Sequence, residues 1–176
     1  MDQNGSKWEY FHIFTLNYPD CMINFIGDHN CKLDAKGRLM LPSTFLKQMG
    51  EGVPAKLIVK KDVFESCLVI YPESEWDKQV KLLKKKLNPY KREHNTFMRV
   101  FFKGVAELAI DSNNRILLPK RLLELIEADK EVVLAGQPGK IELWAKAKYD
   151  KVELGDDEFA DMAENLLDGL IDELEE

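Results

Sequence analysis

The stretch LDAKGRLMLP at residues 33–42 returns later in the chain as IDSNNRILLP at residues 110–119. Both copies place an aspartate four residues before an arginine, and both close with three apolar residues and a proline. Self-similarity at a distance within one chain is the signature of a duplicated structural unit. The sequence therefore predicts two copies of one unit.

The match extends beyond this stretch. LVIY at 68–71 corresponds to IELW at 141–144, and WDK at 76–78 corresponds to YDK at 149–151. The first copy has the longer internal loop, at 61–66. Two copies predict a pseudo-twofold arrangement, because a solenoid needs more repeats to bury its faces.

Each copy predicts the same order of elements. A strand (25–33; 105–110) enters a tight turn (34–37; 111–114), where Asp can accept backbone N–H groups and Gly37 or Asn114 suits a positive φ. A short apolar strand follows (38–41; 115–118), and a proline ends it and opens a helix. The other predicted strands lie at 56–60, 67–71, 131–135 and 140–144, and the helices at 43–49, 73–87, 91–102, 120–127 and 156–175. The expected fold class is α+β and rich in β-strands.

Charge divides the chain into two parts. The chain has 176 residues and a net charge of -6. Residues 150–176 contain twelve acidic side chains and one basic one, so residues 1–149 carry a net charge of +5. A basic body can meet phosphates, and an acidic tail repels them. No stretch is apolar enough to span a bilayer, and three cysteines form no disulfide framework, which favours a cytoplasmic protein.

These residues resemble the MraZ family, bacterial regulators of the division and cell-wall gene cluster. The likeness rests on the two Asp-x-x-x-Arg motifs with their prolines, on LVIYP at 68–72, and on Phe97-x-Arg99-x-Phe101-Phe102-x-Gly104. It covers roughly residues 22–151. It implies two AbrB-like swapped-hairpin units related by a pseudo-twofold, with connecting helices and a C-terminal helix. It also implies a ring-shaped homo-oligomer that binds G-rich direct repeats upstream of its own operon, as a repressor associated with the nucleoid.

The candidate DNA contacts lie in and beside the repeated turns. Arginine can donate two hydrogen bonds to guanine O6 and N7, which makes Arg38 and Arg115 the candidate base readers. The remaining candidates are Lys32, Lys36, Asn113 and Asn114, with the lysines as phosphate contacts. Taken without the resemblance, the turns favour a simpler interpretation, in which each Arg only pairs with Asp34 or Asp111. Both interpretations are compatible, since the aspartates could orient the arginines.

The resemblance also suggests a division of the chain. We expect an AbrB-like repeat at 22–72, connecting helices at 73–102, a second repeat at 103–151, and an acidic amphipathic helix at 152–176. We hypothesise that residues 1–21 are an upstream extension or the product of a misassigned start site. Intact mass of protein made from its own gene would test this hypothesis.

The acidic helix leaves three alternatives open. It caps its own domain, packs on a neighbouring subunit, or competes with DNA for the basic surface. The same helix suggests a rival function, because related swapped-hairpin proteins serve as antitoxins. The chain would then be a protein-interaction module that uses this helix.

Other signals do not indicate catalysis or a cofactor. The segment GQPGK at 136–140 is too short for a phosphate loop and lacks its hydroxyl residue, so a hairpin turn explains it better. His29 and Cys31 lack a second pair of ligands at zinc-site spacing. We expect no enzyme activity, no metal and no cofactor.

Overall fold

The computed structural model describes residues 23–50 and 56–167, and the hypothesis about residues 1–21 lies outside them. The chain divides into two compact units, residues 1–146 and 147–176. The first unit contains the first copy of the repeat and the second copy up to residue 146. Within the described residues, no helix combines the length and the apolar character needed to cross a membrane.

The described part of the chain contains eight strands and six helices. The strands are β1 (Asp28–Lys32), β2 (Arg38–Met40), β3 (Lys56–Lys61), β4 (Leu68–Pro72), β5 (Ala106–Ala109), β6 (Arg115–Leu117), β7 (Glu131–Gln137) and β8 (Lys140–Ala145). The helices are α1 (Ser43–Gln48), α2 (Glu73–Lys86), α3 (Arg92–Phe102), α4 (Lys120–Leu125), α5 (Lys146–Tyr149) and α6 (Asp156–Leu167). The α+β, β-rich fold class is confirmed.

The predicted elements are present, with ends that differ by a few residues. Strand β1 begins at Asp28 and not at residue 25, because Gly27 has a φ of 93° that interrupts the extended backbone. Pro42 and Pro119 stand at the N-caps of α1 and α4, where a missing N–H is harmless. Of the helix predicted at 156–175, residues 168–175 lie outside the described part.

The two copies exchange their first strands. Six antiparallel strands form one sheet in the order β1-β7-β8-β4-β3-β5. Strand β1 of the first copy pairs with β7 of the second, and β5 of the second copy pairs with β3 of the first. Each copy therefore completes its sheet with a strand from the other, which is the swap that the family likeness implies.

The short strands β2 and β6 form a separate antiparallel pair, here called the ribbon. Its register joins Leu39 to Ile116 at the centre. Two further backbone bonds extend it: Leu41 donates to the Asn114 carbonyl at 2.9 Å, and Leu118 donates to the Gly37 carbonyl at 3.0 Å. These bonds are equivalent under the repeat, so the pseudo-twofold axis passes through the ribbon.

One face of the sheet, α1, α4 and the inner side of the ribbon enclose the main core. Leu39 and Ile116 are completely buried in it. A second cluster joins α2 and α3 to the other side of β3 through Ile58, Trp76, Leu83 and Phe101. Apolar burial of this kind supplies the main stabilisation of a fold, and here it fixes the ribbon against the sheet.

Candidate nucleic-acid interface

The first turn holds its arginine through one carboxylate. Asp34 Oδ1 accepts the backbone N–H groups of Lys36 and Arg38, each at 2.9 Å. Its Oδ2 accepts Arg38 Nε at 2.6 Å. Gly37 closes the turn with a φ of 80° and donates its N–H to the Asp34 carbonyl at 2.9 Å. A short Asp side chain and a left-handed residue are what such a turn requires.

The second turn repeats this geometry. Asp111 Oδ1 accepts the backbone N–H of Asn113 at 2.8 Å and that of Arg115 at 2.9 Å. Its Oδ2 accepts Arg115 Nε at 2.9 Å. Asn114 takes the left-handed position with a φ of 59°. Asn tolerates this region better than most side chains, so the two different sequences fold alike.

The hydrogen bonds to the turns also set the ionisation of their carboxyl groups. The backbone N–H of Arg38, with smaller contributions from its side chain and from the Lys36 N–H, lowers the pKa of Asp34 to about 2. The N–H and side chain of Arg115 likewise lower the pKa of Asp111. Hydrogen bonds and a nearby cation favour the charged form. Both carboxylates therefore remain ionised near neutral pH and hold the guanidinium groups.

The arginines keep donors for a ligand. A guanidinium has five N–H donors. Arg38 uses its Nε on Asp34, whereas Arg115 uses both Nε and Nη2 on Asp111 Oδ2, each at 2.9 Å. The side chains of Arg38 and Arg115 are about one-third exposed. The aspartates fix the direction of both side chains at small entropic cost, and the terminal N–H donors that they leave unused can reach a planar acceptor pair.

Of the other candidate residues, Lys32, Asn113 and Asn114 come together across the two copies, whereas Lys36 stays in the first turn. An open depression of about 500 Å³ is lined by Lys32 and Met40 of the first copy and by Asn113 and Asn114 of the second. The second turn lacks a lysine equivalent to Lys36, and Lys32 supplies one beside it. Lys36 in the first turn and Lys32 beside the second thus place a lysine near each of the two turns.

Two residues of this face were missed by sequence reasoning. Met40 and Leu117 lie on the outer side of the ribbon, 62% and 57% exposed. The run Leu39-Met40-Leu41 is continuously apolar, which hid the outward residue. The signal that could have found it is the alternation of a strand, which must turn the middle of three apolar residues outward.

The weaker signals have structural explanations. Residues 137–140 form the tight connection between β7 and β8, as the hairpin interpretation predicts, and Gly139 has a φ of 74° there. His29 Nε2 lies 3.1 Å from Thr44 Oγ1 and its ring packs edge-on against Phe45. In the described ranges, no three His, Cys, Asp or Glu side chains are grouped so that they could hold a metal ion.

Comparison with known proteins agrees with this architecture. The family model described as "MraZ protein, putative antitoxin-like" matches twice, at residues 24–100 and 101–169. The second match extends through α6, beyond residue 151 where the likeness had been expected to end.

Relatives cover most of the chain. The transcriptional regulator MraZ of Christiangramia forsetii is 41% identical over 83% of this chain and 94% of its own length. The transcriptional regulator MraZ of Bacteroides fragilis is 40% identical over 74% and 83% respectively. That of Bacteroides thetaiotaomicron is 37% identical over 83% and 94%. These relatives are named as regulators and not as enzymes. With two family matches that follow the two repeats and with this degree of identity, the chain belongs to the MraZ family.

Proposed function

We propose that this chain is a sequence-specific, DNA-binding transcriptional regulator that acts at the nucleoid of the cytoplasm. The observation that carries the proposal is the duplicated turn, in which an aspartate holds an arginine at the edge of a rigid ribbon. Preorganised donors lose little entropy on binding, so they discriminate well. The names of the relatives support the same function.

The residues divide by their chemistry into base readers and phosphate contacts. Arg38 and Arg115 donate to O6 and N7 of guanine, the commonest specific contact in the major groove. Lys32 and Lys36, both exposed, bind phosphates and position the ribbon. Asn113 and Asn114 can act in either role, because a side-chain amide can donate to a phosphate or form two hydrogen bonds with adenine.

One chain reads few base pairs, so we propose that several copies act together. Two arginines and two lysines give modest affinity, whereas linked copies gain from a high effective concentration. A ring-shaped homo-oligomer on G-rich direct repeats upstream of its own operon would meet this need, with repression as the outcome. Copies related by rotation face the DNA in the same sense, which suits direct repeats.

Fluorescence anisotropy tests this function directly. Wild-type protein is titrated onto DNA from upstream of its own gene and onto a scrambled duplex, at several salt concentrations. We expect preference for the native DNA and a steep salt dependence. Arg38→Ala should lose that preference by roughly 5- to 150-fold, the range for one bidentate contact.

A matched control separates base reading from loss of charge. Arg99→Ala removes the same charge from α3, where Arg99 is exposed and lies outside the ribbon. It should retain the preference for native DNA. Equal behaviour of wild type and Arg38→Ala would contradict the proposal and leave the turn as scaffold.

The second candidate is an antitoxin-like interaction module. The wording of the matched family description favours it, and so does α6, which has no buried residue. An amphipathic helix with exposed apolar side chains, here Phe159, Leu166 and Leu167, is suited to a protein groove. A co-purifying protein that is lost on deletion of residues 152–176, with no DNA preference, would support this candidate over the first.

A further inference from the structure

The outer face of the ribbon carries a symmetric pair of exposed apolar side chains. Met40 and Leu117 are 62% and 57% exposed, whereas Leu39 and Ile116 on the inner face are completely buried. Scattered exposed apolar residues are ordinary on protein surfaces. These two occupy the same face of paired strands, one from each copy, beside the arginines proposed to read DNA.

The strand register fixes the neighbours of this pair. Met40 lies opposite Arg115, and Leu117 lies opposite Arg38. Cross-strand partners have Cβ atoms about 4.5–5.5 Å apart. The face therefore alternates cation and apolar side chain in both directions, with each arginine next to one apolar group.

The charge of this face favours a polyanion as its occupant. Lys32, Lys36 and the two arginines surround the apolar pair, and each aspartate here already binds an arginine. The net charge of these six side chains is about +2 by ordinary ionisation. A second copy of the chain would bring the same positive charge to the contact.

The major groove offers one apolar group, the C5-methyl of thymine, next to guanine acceptors. The groove is about 12 Å wide and admits a two-stranded ribbon. We infer that Met40 and Leu117 contact thymine methyl groups beside the guanines bound by Arg115 and Arg38, and thereby select guanine–thymine neighbours. The inference rests on the proposed function and adds two specificity-determining residues to it.

The test makes two separate changes. One removes the C5-methyl group of thymine from the DNA, and the other removes the side chain of Met40 or Leu117 from the protein. Native upstream DNA is prepared with thymine, and again with deoxyuridine, which lacks the C5-methyl. Wild-type protein should bind the deoxyuridine duplex about fourfold more weakly for each thymine methyl group that Met40 or Leu117 covers. Met40→Ala and Leu117→Ala should each bind the thymine duplex more weakly and lose part of this discrimination, and the double variant should lose nearly all of it.

Val63→Ala is the matched control, because Val63 is 49% exposed in the loop between β3 and β4, away from the ribbon. It should discriminate like the wild type, and thermal melting checks that every variant is folded. The inference is overturned if the wild type prefers native DNA over scrambled DNA yet binds the thymine and deoxyuridine forms of the native duplex equally. It is also overturned if Met40→Ala and Leu117→Ala keep the full discrimination, or if they change only the oligomeric mass. Absence of any preference for native DNA would instead defeat the proposed function itself.

Discussion

Leu39 of the first repeat pairs with Ile116 of the second at the centre of the ribbon, and both side chains are completely buried. Leu39→Ala should lower the free energy of unfolding by about 2–5 kcal/mol, since it removes buried methyl groups and leaves a cavity. Met40→Ala, one residue away on the exposed face, should change it by less than about 0.5 kcal/mol. Urea unfolding measures both, and similar losses would contradict the assigned faces.

Gly37 makes a second prediction about stability. Its φ is 80°, and a Cβ there would lie 3.3 Å from the Leu118 carbonyl oxygen. Gly37→Ala should therefore cost at least about 1–2 kcal/mol, the usual penalty for a left-handed L-residue. Gly50→Ala is the control that separates backbone strain from the close contact. Gly50 has a similar φ of 87°, but the described residues leave open space around it. We expect Gly37→Ala to lower the melting temperature more than Gly50→Ala does; the reverse order would argue against the close contact.

The lysines should affect DNA affinity without affecting sequence preference. Each phosphate contact contributes about 0.9 to the slope of log affinity against log salt. Lys32→Gln and Lys36→Gln should each reduce the slope by about this amount. Each should weaken binding to native DNA and to scrambled DNA by the same factor. Lys84→Gln on α2 removes the same charge from an exposed site outside the ribbon and serves as the control. If Lys32→Gln or Lys36→Gln changes the preference for native over scrambled DNA, that lysine contacts bases and not only phosphates.

The turn carboxylates give a prediction about pH. The pKa of Asp34 is lowered to about 2, so its contribution to stability is complete above about pH 4 and is lost as the pH falls toward 2. NMR titration of the side-chain carboxyl should give a midpoint near 2. In Arg38→Ala the midpoint should rise only partway to the ordinary value, because the backbone N–H of residue 38, the largest cause, remains. A wild-type midpoint near 4 would contradict the geometry of the turn.

Much of the fold could be predicted from the sequence, because turns and caps are local. Asp34 and Gly37 predict the tight turn in which they lie, and Pro42 predicts the start of the helix that follows. The structure shows both features. The partner of a strand is not local information: nothing in residues 28–32 specifies β7 instead of β3, and only the family likeness implied the exchange. The exposure of Met40 could not be predicted for a similar reason. Its neighbours in sequence are apolar, and which face of the strand is exposed depends on the pairing with the partner strand.

The exchange of strands also has a consequence for how the protein is made. Strand β1 pairs only with β7 in the described sheet, and Asp28 meets Ala135, about a hundred residues later. At about 5–20 residues per second, the ribosome leaves β1 without its partner for roughly 5–20 s. During that interval the unfinished chain presents an open strand edge, which is a template for another chain. A leading chain that has just completed β7 can therefore pair it with β1 of a following chain on the same messenger RNA instead of with its own β1.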